Sequence, residues 1–103
     1  MKNVDLNLLV AKAEGYDCAL LNEGETVGIN RNNVVDYFDP TDNWGWGGPI
    51  IEREEINLET HANVEECDKW TAYSRIHGLS KTGTTPLIAA MQLFVAIKQE
   101  NLA

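Results

Sequence analysis

The fold of this chain is decided by its most apolar stretch, Thr85-Pro-Leu-Ile-Ala-Ala-Met-Gln-Leu-Phe-Val-Ala-Ile97. Thr85 is a suitable N-cap and Pro86 fits the first helical position, so the stretch predicts a helix over 86–98 that ends near Lys98. The least apolar face of this helix consists of Ala89, Gln92, Ala96 and Gln99. Because apolar side chains cover most of the circumference, either the remaining domain or another subunit has to cover this helix. We therefore expect a homo-oligomer.

The rest of the chain predicts a mixture of short helices and strands. Apolar spacing indicates a helix over Asp5–Glu14 that Gly15 ends, and Pro49 suits the first turn of a second short helix over 50–56. Strands are expected at 18–21, 34–38, 56–60 and 70–76, with a turn at 22–25 and a loop marked by Asn30, Asn32 and Asn33. The strands at 56–60 and 70–76 are expected to pair.

These elements predict an α+β fold: a small antiparallel sheet with a long C-terminal helix and one or two shorter helices. The 86–98 helix is expected to pack on the strand at 70–76. We interpret 1–103 as a single domain, since the length is that of one core.

The segment from Asp39 to Glu54 contains two tryptophans among three glycines and two prolines. Gly45, Gly47 and Gly48 permit close backbone approach, so the composition predicts an aromatic-walled binding loop. An extended loop would place Trp44 and Trp46 on one face as a platform, whereas a turn would pack one ring inward and leave the other available. Closure of a small core by both rings is the equally weighted alternative.

Charge restricts the class of partner. Sixteen acidic residues against eight basic ones give a net charge of −8, which opposes direct binding to nucleic acid or anionic membranes. Seven acidic residues lie between Glu52 and Asp68, a stretch that suits either a solvated face or docking on a basic protein. Cys18 and Cys67 are expected to be free thiols in a cytoplasm, and no apolar run is long enough to span a bilayer.

An anion seat is suggested where Lys81-Thr-Gly-Thr-Thr-Pro86 leads into the last helix. Backbone N–H groups and the positive end of the helix dipole favour an anion there, with hydroxyls of Thr84 and Thr85 and the charge of Lys81 nearby. Arg53 or Arg75 is expected to assist. An ordinary N-cap with a flexible glycine joint is the favoured alternative.

Catalytic chemistry is not indicated by the sequence. His61 and His77 lack a neighbouring nucleophile, and Asp36, Asp39 and Asp42 lie in a turn-rich segment where aspartate is commonly a turn former. Irregular spacing of cysteines and histidines also disfavours a zinc site. We expect a non-enzymatic protein without cofactor or metal.

Three segments resemble the NinX-like family of small bacteriophage proteins: the tryptophan segment over 42–54, Trp70-Thr-Ala72 and Thr84-Thr-Pro-Leu-Ile-Ala-Ala-Met91. The resemblance covers roughly Tyr37 to Ile97. Gln92 stands where the family usually has arginine, and Asn43 separates Asp42 from Trp44. The resemblance implies a phage accessory protein of uncharacterised activity.

Together these features suggest a protein of the host bacterial cytoplasm that binds, and thereby sequesters, a small nucleotide-type signal of host antiviral defence. The alternative is an acidic inhibitor or adaptor that mimics nucleic acid and binds a host or phage protein. The residues expected to bind the ligand are Trp44, Trp46, Gly47, Gly48, Arg53, Lys81, Thr84 and Thr85.

Overall fold

The computed structural model describes residues 2–61, 65 and 68–101, with backbone alone for Asn101. Within this part of the chain the helices are α1 (Asn3–Ala13), α2 (Trp44–Arg53) and α3 (Pro86–Asn101). The strands are β1 (Asp17–Leu21), β2 (Thr26–Arg31), β3 (Val34–Tyr37), β4 (Asn57–Thr60), β5 (Trp70–Ser74) and β6 (Leu79–Gly83). The predicted α+β class is confirmed.

The first sheet is an antiparallel meander in the order β1-β2-β3. Asn32 and Asn33 connect β2 to β3 with φ values of 53° and 66°. Two consecutive residues at positive φ are what a tight two-residue hairpin turn requires, and asparagine tolerates this region better than most residues. The expected loop is therefore only two residues long, and Asn30 belongs to β2. Val27 and Ile29 of β2 are buried and carry this sheet's contribution to the core.

The second sheet has the order β4-β5-β6. The predicted pairing of its first two strands is confirmed, with Thr60 opposite Trp70 and Asn57 opposite Tyr73. The sequence predicted one small sheet, whereas the structure has two sheets of three strands each. The third strand of the second sheet is β6, which pairs with β5. Gly83 ends β6 against α3, where an added Cβ would lie 2.7 Å from the Ala89 nitrogen. Gly83 is a packing contact, not the flexible joint that the sequence suggested.

α3 forms the centre of the core. Thr85 caps the helix as predicted, since its Oγ1 accepts a hydrogen bond from the Ile88 N–H at 3.2 Å. The helix packs on β5 and β6 and also against α1 and α2. Its buried residues are Leu87, Ala89, Ala90, Met91, Leu93, Phe94, Val95 and Ile97. One chain therefore covers the apolar circumference without a second subunit. The need to cover this helix was the reason for expecting a homo-oligomer, and the structure removes that reason.

The tryptophan segment is a helix, and the predicted loop is wrong. Asn43 caps α2, since its Oδ1 accepts from the Gly45 N–H at 2.8 Å. Pro49 lies inside the helix and does not begin it, and α2 ends at Arg53, so the predicted helix over 50–56 is misplaced. Packing explains how a helix with three glycines forms, because Ile50 is buried in the core and Gly47 fits against α3.

Candidate functional site

Trp46 belongs to an aromatic ladder at the edge of the core. Phe38 lies between the other two rings, with its centroid 5.5 Å from Tyr16 and 5.1 Å from Trp46. The interplanar angles of 66° and 67° give edge-to-face contacts, a preferred geometry for aromatic pairs. Trp46 is therefore a packing residue whose indole is only partly accessible.

Trp44 is the accessible tryptophan of α2. It is the first helical residue, and 54% of its surface is exposed. Residues two apart on a helix differ in direction by about 200°, so Trp44 and Trp46 do not form the predicted two-ring platform. One ring packs inward and the other remains available, which is one of the two arrangements left open by the sequence.

Gly47 and Gly48 have different environments in the same helix. A Cβ at Gly47 would lie 2.6 Å from the Leu87 Cδ2 and 2.8 Å from the Pro40 carbonyl oxygen. A Cβ at Gly48 would meet nothing within 4 Å. Gly47 thus permits α2 to approach the start of α3, and the tryptophan helix adjoins the predicted anion seat through this contact.

Arg53 is occupied by two carboxylates. Its Nη1 donates to Glu14 at 3.0 Å and its Nε donates to Glu54 at 2.8 Å, while its guanidinium lies 5.7 Å from the centre of the Phe94 ring. The hydrogen bond to Glu14 and then that to Glu54 raise the pKa of Arg53 further above its ordinary value. Arg53, Glu14 and Glu54 together carry a net negative charge, so Arg53 is poorly placed to attract an anion.

The predicted anion seat has few donors. Pro86 has no N–H, the Ile88 N–H donates to the Thr85 hydroxyl, and the Ala89 N–H donates to the Thr85 carbonyl at 3.1 Å. Of the first-turn N–H groups in the described chain, these contacts leave that of Leu87 available to an anion. Thr85 thus acts as the cap that the alternative interpretation expected.

Lys81 and Thr84 line different cavities. Lys81 lies at a groove of about 260 Å³ between α1 and α3, whose apolar wall includes Leu6, Ile88 and Val95. Thr84 lies at a more open cavity of about 390 Å³ that also contains Asp68, whose carboxylate accepts from the Thr82 hydroxyl at 2.8 Å. Trp44 and Trp46 line neither, so these two cavities do not bring the predicted ligand residues together in the described chain.

Arg31 is a cation near the tryptophans that sequence reasoning missed. Its guanidinium carbon lies 5.0 Å from the centre of the Trp46 ring, a cation–π contact. The same guanidinium donates to Asp36 at 2.8 Å, and both side chains are partly exposed, at 48% and 36%. No local signal predicts this contact, because it depends on the pairing of β2 with β3 and on the packing of α2.

The acidic stretch is divided among several elements. Glu52 lies on α2, Glu55 follows it, and Glu59 lies on β4, and all three are exposed. Glu54 is bound to Arg53. Glu66 and Cys67 lie outside the described residues.

Comparison with known protein families identifies the relationship that the sequence motifs suggest. A family model described as "Bacteriophage P22, NinX" matches residues 1–98. The chain belongs to the NinX family of bacteriophage proteins. The match extends through α1, both sheets and α2, and into α3, well beyond the three motifs that carried the resemblance. A search of curated proteins gave no match.

None of the three helices in the described part of the chain is both long enough and apolar enough to cross a bilayer.

Proposed function

We propose that this NinX-family protein is a non-enzymatic phage accessory protein that binds a small nucleotide-type signal of host antiviral defence and sequesters it. The observation that carries the proposal is the exposed indole of Trp44 on the first turn of α2. Transfer of apolar ring surface from water into contact with another flat apolar surface is favourable, and a planar ligand stacked on Trp44 would remove that surface from water.

The indole is carried on a firmly held element. Asn43 caps the helix at its start, Gly47 packs against Leu87, and Trp46 packs against Phe38. Because the backbone below Trp44 is fixed before the ligand arrives, little conformational entropy has to be lost on binding. Stacking of a base on such a ring contributes roughly 1–3 kcal/mol.

The phosphate of the ligand needs donors that a chain of net charge −8 has to supply locally. Lys81 and Thr84 are exposed near the start of α3, and the Leu87 N–H points along the helix dipole toward the same end. Arg31 is a second source of positive charge, since an exposed ion pair such as that with Asp36 contributes only about 0–1 kcal/mol and is readily exchanged.

The test is isothermal calorimetry with the purified chain against a panel of nucleotides and cyclic nucleotides. We expect Trp44→Ala to weaken binding about five- to 150-fold, the equivalent of one lost stack, without changing the unfolding midpoint. Ile76→Ala is the matched control, because Ile76 is also a large exposed apolar residue, at 67%, but lies in the β5–β6 turn. Absence of binding by every nucleotide, or equal loss in both variants, would refute the proposal.

A second candidate is the acidic inhibitor or adaptor, favoured by four exposed acidic residues, Glu52, Glu55, Glu59 and Glu65. If these residues contact a basic protein, Glu59→Lys combined with Glu65→Lys should slow association strongly at low salt and leave the fold intact. If the protein instead captures a small anion, the same changes should leave ligand affinity unchanged or increase it. Anti-defence activity that is insensitive to both reversals would exclude the adaptor.

A further inference from the structure

The groove of about 260 Å³ between α1 and α3, here called the α1–α3 groove, has an aliphatic lining with one cation. Its aliphatic residues are Leu6, Leu9, Ile88, Val95 and Ala96. Three amide side chains complete the walls: Asn3, Gln92 and Gln99. Within the described chain, no aromatic side chain lines the groove and Lys81 is its one charged residue. This composition suits a ligand with an aliphatic body and a single anionic group.

Strand register explains why Lys81 lies at this groove. Gly83 is two residues away on β6, and a Cβ there would meet the Ala89 nitrogen of α3 at 2.7 Å. Residues two apart in a strand share a face, so the Lys81 side chain also begins on the side of the sheet that α3 covers. Ala72, which is paired with Lys81 and buried, lies on the same side. The stem of Lys81 therefore starts beside the helix and brings a cation to the aliphatic walls.

The donors of the groove favour an anion, although the chain carries a net charge of −8. Among the described residues, Lys81 takes part in none of the ion pairs, and it is exposed to solvent. The amide groups of Asn3 and Gln92 can donate to the same carboxylate, which accepts several hydrogen bonds at once. Asp68 lines the adjoining cavity instead of the groove, and its carboxylate accepts from the Thr82 hydroxyl at 2.8 Å.

The dimensions of the groove limit the size of its ligand. At about 30 Å³ for each water-sized group, a volume of about 260 Å³ holds roughly nine such groups. The α3 part of the lining extends from Ile88 to Gln99, about 16 Å along the helix axis. A stable protein interface buries about 800 Å² on each side, whereas a groove of this volume accommodates one or two side chains. These dimensions favour a small molecule over a second copy of the chain.

We propose that the α1–α3 groove binds a small aliphatic carboxylate. The charged end is held by Lys81 together with the amides of Asn3 and Gln92, and the aliphatic chain lies against Leu6 and Ala96. This site shares Lys81 with the proposed nucleotide function but does not include Trp44, so the inference goes beyond that function. Trp44→Ala should leave carboxylate affinity unchanged, which separates the two proposals.

The test is a titration of the isotope-labelled full chain with heptanoate, a carboxylate of this size. Amide chemical shifts in the NMR spectrum locate the ligand and give its dissociation constant. We expect the largest shifts along α1 and α3 at Leu6, Gln92 and Ala96. Heptanamide has nearly the same shape without the charge, so it should bind at least about fivefold more weakly. Each methylene added from pentanoate to heptanoate should strengthen binding about two- to fourfold, because it removes more apolar surface from water.

Two variants separate the charged end of the ligand from its chain. Lys81→Gln should weaken heptanoate at least about fivefold and leave heptanamide within about twofold, because it removes the charge alone. Ala96→Leu should weaken both ligands at least about tenfold, because leucine occupies the groove while it suits a helix. Lys12→Gln is the matched control, since this exposed lysine of α1 is not part of the lining, and its affinity should stay within about twofold of the wild type. Thermal unfolding of each variant measures whether the fold is retained.

Four results would overturn the proposal. Absence of shifts along α1 and α3 with heptanoate would show that the groove is not a carboxylate site. Equal affinity for heptanoate and heptanamide, or equal loss in Lys12→Gln and Lys81→Gln, would mean that Lys81 only protects the outer edge of β6. Affinity that does not depend on chain length would show that the aliphatic walls take no part. Sedimentation that detects a dimer abolished by Ala96→Leu would show that a second copy covers the groove.

Discussion

The two adjacent glycines of α2 provide a direct test of how this segment is folded. Gly47→Ala and Gly48→Ala are chemically identical changes one residue apart. Each replaces glycine by alanine inside a helix, which by itself stabilises a helix by about 0.8–1 kcal/mol. The environments of the two positions should separate their effects.

At Gly48 the added methyl group meets nothing within 4 Å, so the helix propensity is the remaining effect. We expect Gly48→Ala to raise the free energy of unfolding by about 1 kcal/mol. At Gly47 the methyl group would lie 2.8 Å from the Pro40 carbonyl oxygen, a backbone atom, and 2.6 Å from Leu87. Overpacking of this kind costs about 1–3 kcal/mol, which exceeds the propensity gain in most of that range.

Urea unfolding followed by circular dichroism measures both variants. We expect Gly48→Ala to be more stable than Gly47→Ala by about 1–3 kcal/mol, because the propensity gain is common to both, and their thermal midpoints to differ by roughly 4–24 °C. Equal destabilisation by both changes would refute the reasoning. That result would mean that Gly48 adopts a backbone conformation closed to alanine, as a loop would, so that α2 is not the helix described.

Three further substitutions test other contacts. Phe94→Ala should cost roughly 3–5 kcal/mol in urea unfolding because Phe94 is fully buried in α3, and a loss below about 1 kcal/mol would contradict that burial. Asn7→Ala should cost roughly 1–3 kcal/mol, since Asn7 donates to Asp39 at 3.0 Å and accepts from the Thr41 N–H at 3.1 Å; an unchanged midpoint would disprove this network. Trp46→Ala should cost about 2–4 kcal/mol in calorimetric unfolding through lost contact with Phe38, and a cost as small as that of a surface change would place its ring in solvent.

Much of the fold is predictable because its signals are local. α3 carries its own cap, first-turn proline and apolar composition within 85–98, and the structure places the helix there. The paired strands β4 and β5 are likewise indicated by short apolar segments. β6 is not, because Leu79-Ser-Lys-Thr-Gly83 contains one large apolar residue. Its strand conformation depends on pairing with β5 and on the close approach of Gly83 to Ala89.

α2 shows why the candidate site was harder to predict. Glycine and proline each disfavour a helix interior, by about 1 and about 3 kcal/mol relative to alanine, so composition alone favours a loop over 44–49. Tertiary packing reverses that preference, since Gly47 permits the contact with Leu87 and Ile50 is buried. The exposure of Trp44 and the contact of Arg31 with Trp46 follow from the same packing, and neither can be read from residues adjacent in sequence.

This origin of the site determines how variants of the tryptophans have to be interpreted. Trp46 connects Phe38 to Arg31, so its replacement changes the core edge and the position of a cation together. Lost ligand affinity in Trp46→Ala would therefore not distinguish a binding residue from a packing residue. Trp44 is exposed on the first turn of α2, so a loss of affinity at constant stability can be assigned to the lost indole surface. The nucleotide proposal consequently depends on Trp44→Ala, and Trp46→Ala does not test it.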